Sequence, residues 1–148
     1  MALLMNAKDM NRRGIAMVEM ALVLPLLIFL TFGMLQYGVL FLRTQEINRA
    51  AREGARIGSQ LGATLTEAEA AAQFVMTNAG FSDPSGYSVS AAAAPFELTA
   101  GDPNSAVNAV TVTVVLPLQD TGFTVLPGMQ LLVPANLTAT VTMIQESG

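Results

Sequence analysis

From Met20 to Leu42 the chain carries no charged residue; the run MALVLPLLIFLTFGMLQYGVLFL is interrupted only by Pro25, Thr31, Gln36, Tyr37 and two glycines. At 1.5 Å rise per residue it makes roughly 35 Å of helix, enough to cross a hydrocarbon core of about 30 Å. The pattern therefore predicts one membrane-spanning helix. Pro25 sits in its first third, where it removes one backbone hydrogen bond and is expected to kink the helix without ending it. Upstream, MALLMNAKDMNRRG is short and mostly polar, and ends in Arg12, Arg13 and Gly14. A secretory signal has a shorter apolar stretch followed by a small-x-small site, whereas this run continues as far as Arg43. The first 14 residues are read as a detachable leader that ordinary signal cleavage does not remove.

After Leu42 the helical pattern continues into polar sequence. RTQEINRAAREGARIGSQLG keeps helix formers, pairs Arg49 with Glu53 at i,i+4, and sets Ala50, Gly54, Gly58 and Gly62 at four-residue intervals. Such a row of small residues admits close packing, either as a groove within one subunit or as a contact between subunits. Thr66 with Glu69 has capping-box spacing and predicts a second helix from about Glu67 to Ala79, stopped by Gly80. The period then changes to two. VNAVTVTVVL (Val107 to Leu116) and LTATVTMI (Leu137 to Ile144) alternate as half-buried strands do, with weaker strand signals at Tyr87 to Ala91 and Phe96 to Thr99. Phe123 to Val133, broken by Pro127 and Gly128, reads as a short hairpin or an apolar loop; Ser82 to Gly86 and Ala100 to Ser105 read as loops. The expected fold is α+β: a long N-terminal transmembrane helix continuing into a helical stalk, a second helix, then a small antiparallel β-sheet. The expected organisation is a leader over 1–14, a transmembrane helix over 15–42, a helical extension over 43–62 and an extracytoplasmic α+β domain over 63–148.

Charge sharpens this picture. All seven basic residues lie in the first 56 positions, and seven of the eleven acids follow Ile57 with no base among them. A domain so acidic repels phosphate backbones, so nucleic acid is not an expected partner. The chain has no cysteine and no histidine, which removes disulfides, thiol nucleophiles, imidazole bases and the usual zinc sites. Glu67, Glu69, Asp83, Glu97, Asp102 and Asp120 sit in cap or loop contexts and are read as solvated surface rather than paired catalytic carboxylates. Asn136 opens a three-residue glycosylation pattern that is frequent by chance, and the nine methionines cluster where they fill apolar packing. No metal site, cofactor or enzymatic activity is expected.

One carboxylate, Glu19, stands at the entrance to the apolar run, where a charge costs about 2.5 to 3.5 kcal/mol on insertion scales. With Arg12, Arg13, Gly14, Ile15 and Met20 it forms a local pattern that resembles the class III leader of type IV pilin-like proteins. That resemblance implies cleavage by a prepilin peptidase between Gly14 and Ile15, placing Glu19 fifth in the mature chain. Met20 departs from the flp-type subset, which usually has an aromatic residue there.

The stretches Arg12 to Gly38 and Ala50 to Arg56 (AAREGAR), with the paired Thr/Val strands, are more similar to the TadE-like pseudopilins of tight-adherence pilus systems. The resemblance implies a minor pseudopilin, a structural subunit or assembly factor for pilus biogenesis and surface adhesion. Its implied partners are the prepilin peptidase, other pilin-like subunits, the pilus assembly platform and the inner membrane. Physical chemistry supports such a role: an amine freed at Ile15 and the Glu19 carboxylate of the same or a neighbouring subunit neutralise each other and fix helix register.

Lys8, Arg12 and Arg13 compete with Arg43, Arg49, Arg52 and Arg56 in setting orientation. The compact basic leader against the acidic C-terminal domain favours a cytoplasmic N-terminus. The competing reading is a permanently anchored envelope protein whose acidic domain binds a ligand or partner, with Glu19 a mere interfacial residue.

Overall fold

The computed structural model describes residues 7–97, 106–118 and 134–145. Among them the chain forms helix α1 (Ala7–Gly58), helix α2 (Leu65–Asn78), a single 3-10 turn (Pro84–Gly86), and strands β1 (Ser88–Glu97), β2 (Ala106–Pro117) and β3 (Asn136–Ile144). This is the α+β order read from the sequence: a long apolar helix, a second helix, then an antiparallel sheet. Two compact units divide the chain, Met1–Leu40 and Phe41–Gly148.

Within the second unit, the foot of α1 follows the helical period closely. Ile47, Ala50, Ala51 and Ala55 are fully buried, the i, i+3, i+4, i+8 stripe of a helix facing a core. Helix α2 answers with Ala68, Ala72 and Met76 at four-residue steps, all fully buried. The sheet lies in the order β1-β2-β3. Val110, Val112, Val114 and Leu116 of the central strand are buried, each worth about 1.5 to 3 kcal/mol of transfer from water. The intervening Thr111 and Thr113 are half-exposed, as the two-residue period requires.

Register is fixed on both sides. β1 pairs with β2 from Ser88↔Val115 to Glu97↔Ala106, and β2 with β3 from Ala109↔Ile144 to Pro117↔Asn136. The second pairing extends through Gln145 N–H to Asn108 O (2.8 Å) and Leu118 N–H to Ala135 O (3.0 Å). Thr111 and Thr142 Oγ1 lie 2.8 Å apart and Thr113 and Thr140 Oγ1 3.2 Å apart, cross-strand pairs that reinforce the register.

Three differences from the sequence reading have physical causes. First, α2 is capped one pair earlier than expected: Thr64, not Thr66, is the N-cap. Glu67 N–H donates to Thr64 Oγ1 (3.3 Å) and Thr64 N–H donates to Glu67 Oε2 (2.9 Å). The Thr-x-x-Glu pattern occurs twice in overlap, and the earlier copy wins because Glu69 is occupied elsewhere, its Oε1 accepting from Ala91 N–H of β1 (2.9 Å). Second, the two weak strand signals join into one strand across AAAAP. Backbone pairing to β2 carries residues with little periodicity of their own, and Pro95 is tolerated because β1 is an edge strand. Pro95 shares the parity of Ala91, whose N–H points away from β2, so its missing N–H leaves no ladder bond unmade. Third, α1 ends at Gly58, and Gly62 lies in the turn that follows, at φ +80°, a conformation glycine adopts without strain. The segments Ala100 to Ser105 and Phe123 to Val133, and the end of the strand expected at Phe96 to Thr99, lie outside the described residues.

Gly80, the expected stop, has φ +96°. It closes a Schellman motif, Gly80 N–H to Thr77 O and Phe81 N–H to Met76 O, both 3.1 Å. At the other end, the Thr64 backbone N–H, and after it the Thr64 side chain, hold the Glu67 carboxyl below the ordinary carboxylate range. Because the folded value is the lower one, this contribution to stability is present at neutral pH and is lost as pH falls through the folded value. Thr64→Ala removes the hydroxyl that accepts from Glu67 N–H while keeping the backbone N–H, and is expected to destabilise α2 by about 1 kcal/mol, the usual cost of losing an N-cap side chain. Urea unfolding at pH 7 checks this; a variant as stable as wild type contradicts the cap.

Candidate membrane and assembly site

The first unit is the upper length of α1. Helix α1 runs unbroken for 52 residues and contains Pro25 in its interior. Its large apolar side chains from Ile15 to Leu42, except the half-buried Leu40, are exposed, from 41% at Val39 to 74% at Met17 and Leu22. A soluble monomer rarely exposes such a continuous apolar surface, and the helix is long and apolar enough to cross a membrane. Thr31 folds its hydroxyl back onto Leu27 O (2.8 Å), satisfying the group within the helix as hydrocarbon demands.

Gly14, Ile15, Glu19 and Met20 all lie in this helix and all are exposed. Ile15 and Glu19 stand one turn apart, four residues along the helix. Gly14 has no steric reason to be glycine: a Cβ there meets nothing within 4 Å, and its φ is not positive. Mid-helix glycine is worse than alanine by about 1 kcal/mol, so Gly14 runs against the local preference of the helix.

Gly54 and Gly58 are the opposite case. A Cβ on Gly54 would lie 2.8 Å from Ala68 O, 3.0 Å from Ala72 Cβ and 3.2 Å from Val112 Cγ1. On Gly58 it would lie 2.8 Å from Val110 Cγ1 and 2.9 Å from Ala68 Cβ. With the buried Ala50, these glycines form the seat into which α2 and the central strand of the same chain press. Gly62 is not part of this seat, and a Cβ there meets nothing within 4 Å.

Where the apolar run ends, Arg43 lies with its guanidinium 4.4 Å from the centre of the Phe81 ring, and Phe81 meets Tyr87 edge-on with centroids 6.4 Å apart. This cation–π and aromatic chain binds the start of the foot to the C-terminal end of α2. Nothing in the sequence signals it, since Arg43 lies far along the chain from Phe81 and Tyr87. About three turns on, Glu53 and Arg56 form a bidentate pair at 2.6 and 3.1 Å. Among the described residues no group of three His, Cys, Asp or Glu side chains converges as metal ligands do.

An N-terminal helix of membrane-crossing length on a small domain of one helix and a three-stranded sheet defines a single-pass class of α+β protein. Residues 14–56, which include Ala50 and Gly54 of the seat but not Gly58, match the family model of the TadE-like proteins. Over that segment the chain is similar to TadE-like proteins. No curated protein and no solved structure matches the chain.

Proposed function

We propose that this chain is a minor pseudopilin: a prepilin peptidase cuts it between Gly14 and Ile15, and the processed subunit enters a Tad pilus or its assembly platform through α1. The N-terminus lies in the cytoplasm and the α+β domain outside it. The observation that carries this reading is Gly14 itself, a glycine in mid-helix with open space where its Cβ would be. Packing and backbone conformation both leave it unexplained, whereas a peptidase that must approach the backbone at that bond requires a residue without a side chain. Glu19 supports the same reading: it is the fifth residue from the new amine and lies on the same helix, one turn from Ile15. The basic leader residues Arg12 and Arg13 favour the cytoplasmic side, where such a cut occurs.

Intact mass of the full chain, extracted from membranes with and without a co-expressed prepilin peptidase, tests the cut. The expected product begins at Ile15, and Gly14→Val abolishes it with the membrane content of the protein unchanged. An N-terminus at Met1 or Ala2 despite an active peptidase rejects processing and leaves a permanently anchored envelope protein.

A further inference from the structure

Arg43 is the first charged residue after the uncharged run that ends at Leu42. Its guanidinium lies 4.4 Å from the centre of the Phe81 ring, a contact that draws on its positive charge and not on its hydrogen-bonding capacity. Among the described residues Arg43 makes no hydrogen bond and no ion pair, and Glu46, three residues further along the helix, does not reach it. A guanidinium carries five N–H donors in a planar fork shaped for carboxylate and phosphate. This one is positioned by the chain and not answered by it.

Phe81 does the positioning. It follows Gly80 in the turn that closes α2, with its N–H on Met76 O at 3.1 Å, and its ring is braced edge-on by the buried Tyr87. Holding a long arginine side chain against a fixed ring lowers the ordering cost of whatever it binds. Depth along the helix says which anion is at hand. The run from Met20 to Leu42 makes roughly 35 Å of helix against a hydrocarbon core of about 30 Å. Arg43 therefore starts about 1.5 to 6.5 Å outside the hydrocarbon, and the headgroup layer adds about 5 to 8 Å on each side. The anion of that layer is the lipid phosphate, which a guanidinium grips through two parallel N–H bonds.

We infer that Arg43 is a phospholipid site: its guanidinium, held over Phe81, binds the phosphate of an anionic lipid and seats the C-terminal end of α2 on the bilayer surface. The site rests on the membrane reading of α1 and not on cleavage after Gly14, so it holds for a processed subunit and for a permanent anchor alike.

The full-length protein in a neutral detergent is supplied with equal amounts of phosphatidylglycerol and phosphatidylcholine, and the lipids it retains are counted by native mass spectrometry. Phosphatidylglycerol is expected to be preferred, and Arg43→Gln to lower its retention about fivefold, as the loss of one arginine at an anionic surface implies. Arg52→Gln controls for net charge. Its position begins about 15 Å along the helix beyond Leu42, past the headgroups, and it is expected to leave retention unchanged. Phe81→Leu keeps the apolar bulk and removes the ring face, and is expected to give a smaller loss than Arg43→Gln, with the circular dichroism of the fold retained. Because the chain has no cysteine, Ser82→Cys, an exposed position beside Phe81, takes a single fluorophore. In a bilayer of the same two lipids it is expected to be quenched by a spin label on the headgroup. Equal retention by wild type and Arg43→Gln, equal losses in Arg43→Gln and Arg52→Gln, or an unquenched fluorophore at position 82 overturns the proposal. Displacement of the lipid by inorganic phosphate, but not by chloride at the same ionic strength, also overturns it and assigns the guanidinium to a free anion. Intact mass of the same samples reads a start at Ile15 separately, so failure of either reading leaves the other standing.

Discussion

Gly54→Leu is expected to detach the foot of α1 from the rest of its domain. Even the first added carbon lies 2.8 Å from a backbone carbonyl, that of Ala68, and within 3.2 Å of Ala72 and Val112. Alanine at this position gains about 1 kcal/mol of helix propensity over glycine, but overpacking a tight core costs about 1 to 3 kcal/mol. The obstructing atom is main chain in the first turn of α2, which moves only by shifting the helix, so the clash wins and Gly54→Ala is already a net loss. Leucine adds three further carbons to the same space. A small domain has about 5 to 15 kcal/mol of total stability, and a seat that no longer closes exposes Ala68, Ala72 and the inner face of β2 together. Gly58→Ala is expected to be a net loss as well, because Ala68 Cβ at 2.9 Å moves only with α2 and Val110 Cγ1 at 2.8 Å belongs to a buried β-branched side chain. Hydrogen exchange in the full-length protein reads the effect as lost protection of the β2 amides. Gly38→Leu is the control, since a Cβ there meets nothing within 4 Å. Unchanged β2 protection in Gly54→Leu would show that the small-residue seat is not what holds the domain on its stalk.

The parts of this fold that were legible in the sequence are those whose pattern is local and repeated. The uncharged run from Met20 to Leu42 specifies its helix by composition alone, and the Val/Thr alternation of β2 and β3 specifies strands because a one-residue slip would turn Val112 and Val114 to solvent. What was hidden depends on partners distant in the chain. The choice between two overlapping capping boxes was settled by Ala91, more than twenty residues beyond Glu69. β1 is a strand because β2 offers it a ladder; its central alanines carry no period of their own. The small-residue row was legible as a row, but its partner was not, and the turn that removes Gly62 from it begins at the end of α1, where Gly58 is one more residue of the same spacing. Of the candidate site, the Gly14 to Glu19 spacing is visible in the letters. The structure adds that nothing in the packing of Gly14 requires glycine.

Glu19→Ala separates the two readings of the apolar helix because insertion and assembly respond to it in opposite directions. Removing a carboxylate from the entrance of a membrane span favours insertion, by up to about 2.5 to 3.5 kcal/mol if the charge is fully within the hydrocarbon and by less if it reaches the interface. An anchor whose only task is to hold the domain at the membrane is therefore at least as well inserted without Glu19. A processed subunit instead begins with an amine at Ile15, one turn away, and loses the anion that neutralises it in the packed helices; an unpaired buried charge is costly enough to prevent that packing. The expected outcome is unchanged or higher membrane content of the Glu19→Ala protein together with a loss of at least about tenfold in its recovery with other pilus components, equivalent to roughly 1.4 kcal/mol or more. Glu19→Asp, which keeps the charge on a shorter stem, is expected to restore part of that recovery. Equal recovery of wild type and Glu19→Ala from membranes of equal content would place Glu19 at the lipid interface, with no part in the register between helices.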